Sequence, residues 1–298
     1  MIARNNIFKG LGVALVTPFK KDKSIDYESF EKLINNIIEN GADYLVVLGT
    51  TAETPSLSID ERRDIRKFVA KINASRLPLV IGMGSNNTAA LCDELTSENL
   101  DGYSAILSVT PFYNKPTQEG LYQHFANVSK ASPLPIILYN VPGRTGVNMN
   151  ADTTLRLAYD FPEKIISIKE ASGNISQIEK ILWNKPDSFD VISGDDGLTY
   201  PLMTLGAIGV ISVLGNALPY EMSSLVHLSL DQKYEDALVH HVNLSELFKL
   251  IFEDGNPAGV KSAMHAKGMI ENELRLPLVP VRKETSEKIQ LAIEPFIN

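Results

Sequence analysis

Cysteine is the first shortage. The chain of 298 residues carries one cysteine, Cys92, so it can form neither an internal disulfide nor a cysteine-based metal site. That usage suits a reducing compartment, and the cytoplasm is the expected location. Long apolar runs are missing too. None approaches the ~18 residues needed to span a bilayer, so no membrane partner is expected. The run Leu11–Val16 is short, lacks a small-residue cleavage site and leads straight into Thr17-Pro18. It reads as a first strand, not as a signal peptide. Positive charge is in deficit as well: Lys and Arg number 28 against 36 Asp and Glu, for a net charge of −8. An acidic chain of this kind repels phosphate backbones, which excludes nucleic acid as an expected partner.

Histidine is scarce where chemistry would use it. All five, His124, His227, His240, His241 and His265, fall in helical stretches and none ends a strand. Asp195-Asp196 and Glu53 are the strand-end acids worth weighing as metal ligands, and no His–acid cluster accompanies them, so no metal is expected. Gly194-Asp195-Asp196-Gly197 is a tight turn without the spacing of a dinucleotide fingerprint. No cofactor is expected either. Cys92 lies in a helical stretch and reads as packing.

What is present is a rhythm. Short, mostly β-branched runs recur at Leu11–Val16, Tyr44–Leu48, Leu77–Ile81, Ala105–Val109, Pro135–Tyr139, Ile165–Ile168, Phe189–Ile192 and Gly209–Val213. Strands buried on both faces look like this. Amphipathic patterns lie between most of them: Asp26–Asn40, Ser58–Lys71, Asn87–Asn99, Gln118–Ala131 and Ser176–Trp183. Ser58 precedes Glu61 at capping-box spacing. The repeat is about 30 residues, one βα unit. Strand–helix alternation repeated eight times predicts an α/β fold, a (β/α)₈ TIM barrel. A doubly wound open sheet is the alternative. From Tyr220 on no strand run follows, and the pattern predicts helices over Met222–Leu230, Tyr234–Glu253, Pro257–Lys267 and Thr285–Ile297. The expected organisation is a barrel over residues 1–219 and a C-terminal helical domain over 220–298.

Barrel chemistry gathers at the C-terminal ends of the strands. Lys169 stands there on the sixth. Strand alternation puts Ser167 and Lys169 on one face, Ile166 and Ile168 on the other. If the isoleucines meet the helices, Lys169 points into the lumen. Desolvation there disfavours an ammonium, and a neutral amine adds to a carbonyl carbon to give a Schiff base. Taken alone, a strand-end lysine is more often a solvated cap. The neighbours shift the balance: Tyr139, Thr51 and Tyr113 end other strands, so three hydroxyls can converge on the amine and relay protons in place of histidine. Each alone would read as packing or capping. Arg144, in the turn above Tyr139, offers a planar fork for a carboxylate where the bland reading is a surface arginine. Gly49-Thr50-Thr51 presents amides and hydroxyls able to hold a small anion, although such turns are common.

These residues resemble a known family. Gly49-Thr50-Thr51-Ala52-Glu53, the stretch from Pro111 to Gly120, Tyr139-Asn140-Val141-Pro142-Gly143-Arg144-Thr145-Gly146 and Ile168-Lys169-Glu170-Ala171-Ser172-Gly173 look like the motifs of the dihydrodipicolinate synthase family. The likeness runs from Phe8 to about Pro280. It implies that Lys169 forms the Schiff base with pyruvate and that Thr51, Tyr139 and Tyr113 relay protons, Tyr113 being supplied to a neighbouring subunit. It implies that Thr50 and Thr51 hold the pyruvate carboxylate, with the backbone at Gly194 and Ile211 nearby. Arg144 would position the carboxylate of L-aspartate 4-semialdehyde. The implied assembly is a homotetramer, a dimer of dimers, and the implied reaction is the first step of the diaminopimelate route to lysine.

Sister enzymes of the same superfamily, N-acetylneuraminate lyase or a 2-keto-3-deoxy sugar acid aldolase, are the alternative; Thr51, Tyr113 and Arg144 favour the synthase. A catalytically silent keto-acid sensor is a third reading, since fold does not fix function. Two positions depart from the family pattern: Ala52 replaces the usual glycine, and Phe112 a second tyrosine. Lysine-inhibited relatives bind lysine with two histidines, a glutamate and that tyrosine. The matching positions here are Ile59, Arg62, Ala90 and Phe112, with Asn86 retained. The acid that would meet a lysine ammonium is gone, so little or no inhibition by lysine is expected.

Overall fold

A computed structural model describes residues 7–297 of the chain; residues 1–6 and 298, the outer ends of the expected domains, lie outside it. Eight parallel strands close into one barrel: β1 (Gly10–Ala14), β2 (Tyr44–Val47), β3 (Leu79–Gly82), β4 (Ala105–Val109), β5 (Ile136–Asn140), β6 (Ile165–Glu170), β7 (Asp190–Ser193) and β8 (Gly209–Ser212). Each pairs with its sequence neighbour and β8 returns to β1, with Gly12 opposite Ile211. Closure rules out the open sheet. The strand bounds differ from the apolar runs by a residue or two where polar residues still pair, as at Asn140 and Glu170.

The outer helices form for visible reasons. Asp26 caps α1 (Tyr27–Glu39) by accepting the Ser29 N–H, and Phe30, Leu33, Ile34 and Ile37 form its buried stripe. Each such side chain, removed from water, contributes about 1.5–3 kcal/mol. Ser58 and Glu61 make the reciprocal capping box of α2 (Ile59–Asn73). Asn87 and Thr117 cap α3 (Thr88–Ser97) and α4 (Gln118–Ala131). A short α5 (Pro142–Thr145) precedes α6 (Ala151–Asp160), and α7 (Ile175–Asn184) and α8 (Thr199–Thr204) follow. The apolar pattern did not single out α6 or α8. The buried face of α6 is mostly Ala and Thr, a diluted signal, and α8 is a six-residue helix with Pro201 inside it.

The chain then runs through α9 (Pro219–Leu230), α10 (Tyr234–Glu253), α11 (Ala258–Ala266) and α12 (Lys283–Ile293). Of these, α9 packs on β1 and β8 as a barrel helix does, while α10 to α12 pack on one another. A boundary at 219/220 thus falls at the first turn of a helix that lies against strands. No described helix is long and apolar enough to cross a membrane.

Two apolar layers follow from strand alternation. Leu11, Val13, Leu45, Leu138, Ile168 and Val210 face the helices. Ala14, Val46, Leu107, Ile137, Tyr139, Ile192 and Ile211 fill the lumen. Tyr44 and Phe8 stack edge to face there with ring centroids 5.5 Å apart. Gly12 is required beside them, because a Cβ would collide with the Tyr44 ring. One expectation fails. Ile166 does not share the helical face with Ile168; it packs against the lumen cluster. Pairing between β5 and β6 slips there, from Ile136↔Ile165 to Ile137↔Ser167. The extra residue of a bulge breaks strict alternation, and regular alternation resumes above it, through Ile168 and Lys169.

Candidate active site

Lys169 is the next-to-last residue of β6 and is directly paired with Tyr139 near the end of β5. The side chain is 5% exposed. Its Nζ lies 4.3 Å from the centroid of the Tyr139 ring. Among the described residues no carboxylate forms an ion pair with it.

The backbone around the amine is tightly framed. The Gly194 N–H donates to the Glu170 carbonyl at 2.8 Å. A Cβ at Gly194 would stand 3.1 Å from Lys169 Cε and 2.8 Å from the Ala171 Cβ, so glycine is what gives the lysine stem its room. Behind the lysine, the Glu170 carboxylate accepts hydrogen bonds from the Ser172 N–H at 2.8 Å, from Asn140 Nδ2 at 3.1 Å and from Gln177 Nε2 at 3.3 Å. Burial pushes its pKa up while these donors pull it down. Asn140 also accepts the Met149 N–H at 2.9 Å, which ties the segment beyond α5 to β5 and β6.

Opposite stands the turn after β2. Thr50–Ala52 forms a single 3-10 turn, and Glu53 leaves it with a left-handed φ of 57°. Thr50 is exposed and Thr51 is buried. The Thr51 hydroxyl accepts a hydrogen bond from Asn256 Nδ2 at 3.0 Å. Glu53 points down into a fully buried ion pair with Lys261, Nζ to Oε1 2.5 Å, and its other oxygen accepts the Arg275 N–H at 3.0 Å. The turn is therefore held from the C-terminal helices. Strained backbone of this kind persists only where surroundings over-determine it.

Arg144 sits on α5, exposed at the mouth, and its Nη2 donates to the Asn256 carbonyl at 3.2 Å. Ile211 is buried in the lumen layer. Tyr113 does not join the others within one chain. It stands in the loop after β4 with a left-handed φ of 76° and is 88% exposed. The expected convergence of three hydroxyls on the amine thus reduces, within the chain, to the Tyr139 ring beside Nζ and a Thr51 hydroxyl engaged by Asn256.

Asn256 and Lys261 carry no signal in the sequence. Each joins the site to a segment more than 200 residues distant, 205 for Asn256–Thr51 and 208 for Lys261–Glu53, and no local pattern announces such a pairing. Among the described residues no group of His, Cys, Asp or Glu is arranged to hold a metal ion.

The arrangement is a buried amine beside a phenol ring, a hydroxyl-bearing turn and an exposed guanidinium, all at the same end of a barrel. Comparison with known proteins gives the family. The profile of the dihydrodipicolinate synthetase family matches residues 7–295. The 4-hydroxy-tetrahydrodipicolinate synthase of Parabacteroides distasonis is 57% identical over 282 residues, which cover 95% of each chain. Among solved structures, the dihydrodipicolinate synthase of Thermotoga maritima superposes with a TM-score of 0.94 at 40% identity, covering 97% of this chain and 98% of that one. The chloride-inhibited enzyme of Acinetobacter baumannii, complexed with pyruvate, superposes with a TM-score of 0.93 at 38% identity, covering 96% and 98%. On a profile match that spans almost every described residue, the chain belongs to the dihydrodipicolinate synthetase family.

Proposed function

We propose that the site condenses pyruvate with L-aspartate 4-semialdehyde through a Schiff base on Lys169. The observation that carries this is the buried Lys169 amine at the barrel mouth, over the Tyr139 ring and without a carboxylate partner. Lys169 Nζ attacks the ketone carbon of pyruvate, and the carbinolamine loses water to give the imine. Loss of a methyl proton gives the enamine, whose terminal carbon attacks the aldehyde carbon and leaves a hydroxyl. The amine of the second substrate then adds to the imine carbon and displaces Lys169, closing the ring of 4-hydroxy-tetrahydrodipicolinate. Tyr139 and Thr51 carry protons between these steps, as hydroxyls positioned by hydrogen bonds can. Thr50 and Thr51 hold the pyruvate carboxylate, near the backbone of Gly194 and Ile211. Arg144 takes the carboxylate of the semialdehyde.

Tyr113, exposed in one chain, completes the relay in a neighbouring subunit of a homotetramer. Incubation with pyruvate and borohydride, followed by intact mass and peptide mapping, tests the first step: the reduced adduct is expected on Lys169. A coupled assay with both substrates tests the second. An unmodified Lys169, or an adduct without consumption of the semialdehyde, overturns the assignment.

Regulation by lysine is expected to be weak or absent. Ile59 is 60% exposed and hydrophobic, and Phe112 lacks the hydroxyl of the tyrosine it replaces. Neither these nor Arg62 and Ala90 supplies an acid for an ammonium. A lysine titration of initial rate should leave the rate unchanged through the low-millimolar range. Strong inhibition at sub-millimolar lysine would contradict it.

A further inference from the structure

Asn256 lies just before α11, far in sequence from every strand end, yet it touches both sides of the mouth. Its side-chain Nδ2 donates to Thr51 Oγ1 at 3.0 Å, and its main-chain carbonyl accepts from Arg144 at 3.2 Å. The residue is 7% exposed. Its Oδ1 is buried with no hydrogen-bond partner. A buried amide that satisfies only one of its two polar atoms costs stability relative to an apolar side chain. The bond to Thr51 is the one hydrogen bond that the side chain makes among the described residues.

That bond has a direction. A threonine hydroxyl has one proton and two lone pairs. Because Asn256 presents N–H to it, one lone pair is occupied and the proton cannot turn toward Asn256. We propose that Asn256 is a positioning residue for the condensation. It fixes the Thr51 hydroxyl as a donor toward the barrel mouth and, through its carbonyl, tethers the Arg144 guanidinium beside it. This rests on the Schiff-base reading above. Asn256 touches no reacting atom; it acts through Thr51 and Arg144.

The experiment compares the full-length enzyme with Asn256→Ala and Asn256→Asp, with kcat and KM for both substrates, thermal melting, and the rate of the borohydride-trapped adduct with pyruvate. Asn256→Asp preserves shape but offers only acceptors, so it draws the Thr51 proton away from the mouth. Asn256→Ala removes the orienting bond without reversing it. The expected order of kcat is wild type, then Ala, then Asp, with the Asp variant down on the order of tenfold or more. KM for pyruvate should change less than kcat does, because Thr50 and the backbone of the turn still hold its carboxylate. A purely structural role gives the opposite order, since Asp is the closer fit. An Asp variant as active as wild type, or more active than Ala, overturns the proposal. If Asn256→Asp melts before assay, a wild-type rate of adduct formation and turnover in Asn256→Ala overturns it alone. Wild-type enzyme that forms no adduct with pyruvate overturns the Schiff-base reading itself, and this inference with it.

Discussion

Two lysines of this chain are buried, and only one suits the chemistry. Lys169 is 5% exposed and Lys261 fully buried. Each lies with its Nζ 4.3 Å from the centre of an aromatic ring, Tyr139 for the first and Phe19 for the second. The resemblance ends at the next atom. Lys261 meets Glu53 at 2.5 Å and the Glu273 carbonyl at 2.9 Å. Burial pulls its pKa down to about 8 while Glu53 pushes it up. Its amine is fully engaged. Lys169 has a phenol ring beside it and, among the described residues, no acid paired with it, and it stands at the open end of the barrel. Burial and an aromatic face are therefore shared; the missing counter-ion and the access are what separate the proposed nucleophile from a structural pin.

Substitution should pull the two apart. Lys169→Ala is expected to lower turnover by about a thousandfold or more, since nothing else supplies the amine. Its stability in urea should stay within about 1 kcal/mol of wild type, because no partner is orphaned. Lys261→Met should do the reverse. Glu53 is left buried and unpaired, at a cost of about 3–5 kcal/mol, while the folded fraction still forms the adduct on Lys169. Adding Glu53→Gln should recover part of the loss. Urea titrations and borohydride trapping on the same variants check both halves. Equal destabilisation by the two lysine variants would erase the distinction.

The same contrast marks what the sequence could disclose. Lys169 was legible because a local feature, an apolar strand ending in a lysine, sits where barrels keep their chemistry. Tyr139 and the Thr50–Thr51 turn were legible for the same reason. The rhythm of buried strands announced the closed barrel, and Asp26 and Ser58 announced their helices. The β5–β6 bulge that turns Ile166 inward was not legible, because alternation looks regular until the partner strand is known. Lys261 lay in a helical stretch and Asn256 just before it, with no local link to the mouth, and their partners are brought near only by closure of the whole fold. The exposure of Tyr113 could come only from the folded chain.

Arg275 belongs to the Lys261 cluster: its N–H bonds Glu53, and its guanidinium lies 4.5 Å from the centre of the Phe19 ring. It also grips Glu61 of α2 with two hydrogen bonds, at 2.8 and 2.6 Å. That grip, with help from Ser58, holds the Glu61 carboxyl down at about 2, from an ordinary 4.5. The folded pKa lies below the unfolded one, so the unfolded chain binds more protons between them and stability falls as pH drops. The contribution is in place above pH 4.5 and lost as pH falls toward 2. With partial solvent screening it amounts to roughly 2 kcal/mol. Glu61→Gln keeps the capping-box geometry but gives up the charge, so it should be less stable than wild type by that amount near pH 6. The gap should close as both are taken toward pH 2.5, followed by urea midpoints. A gap that stays constant across that window would mean that Arg275 holds Glu61 by shape alone, and the C-terminal cluster would then owe its stability to Lys261 and Glu53 rather than to a network that reaches α2.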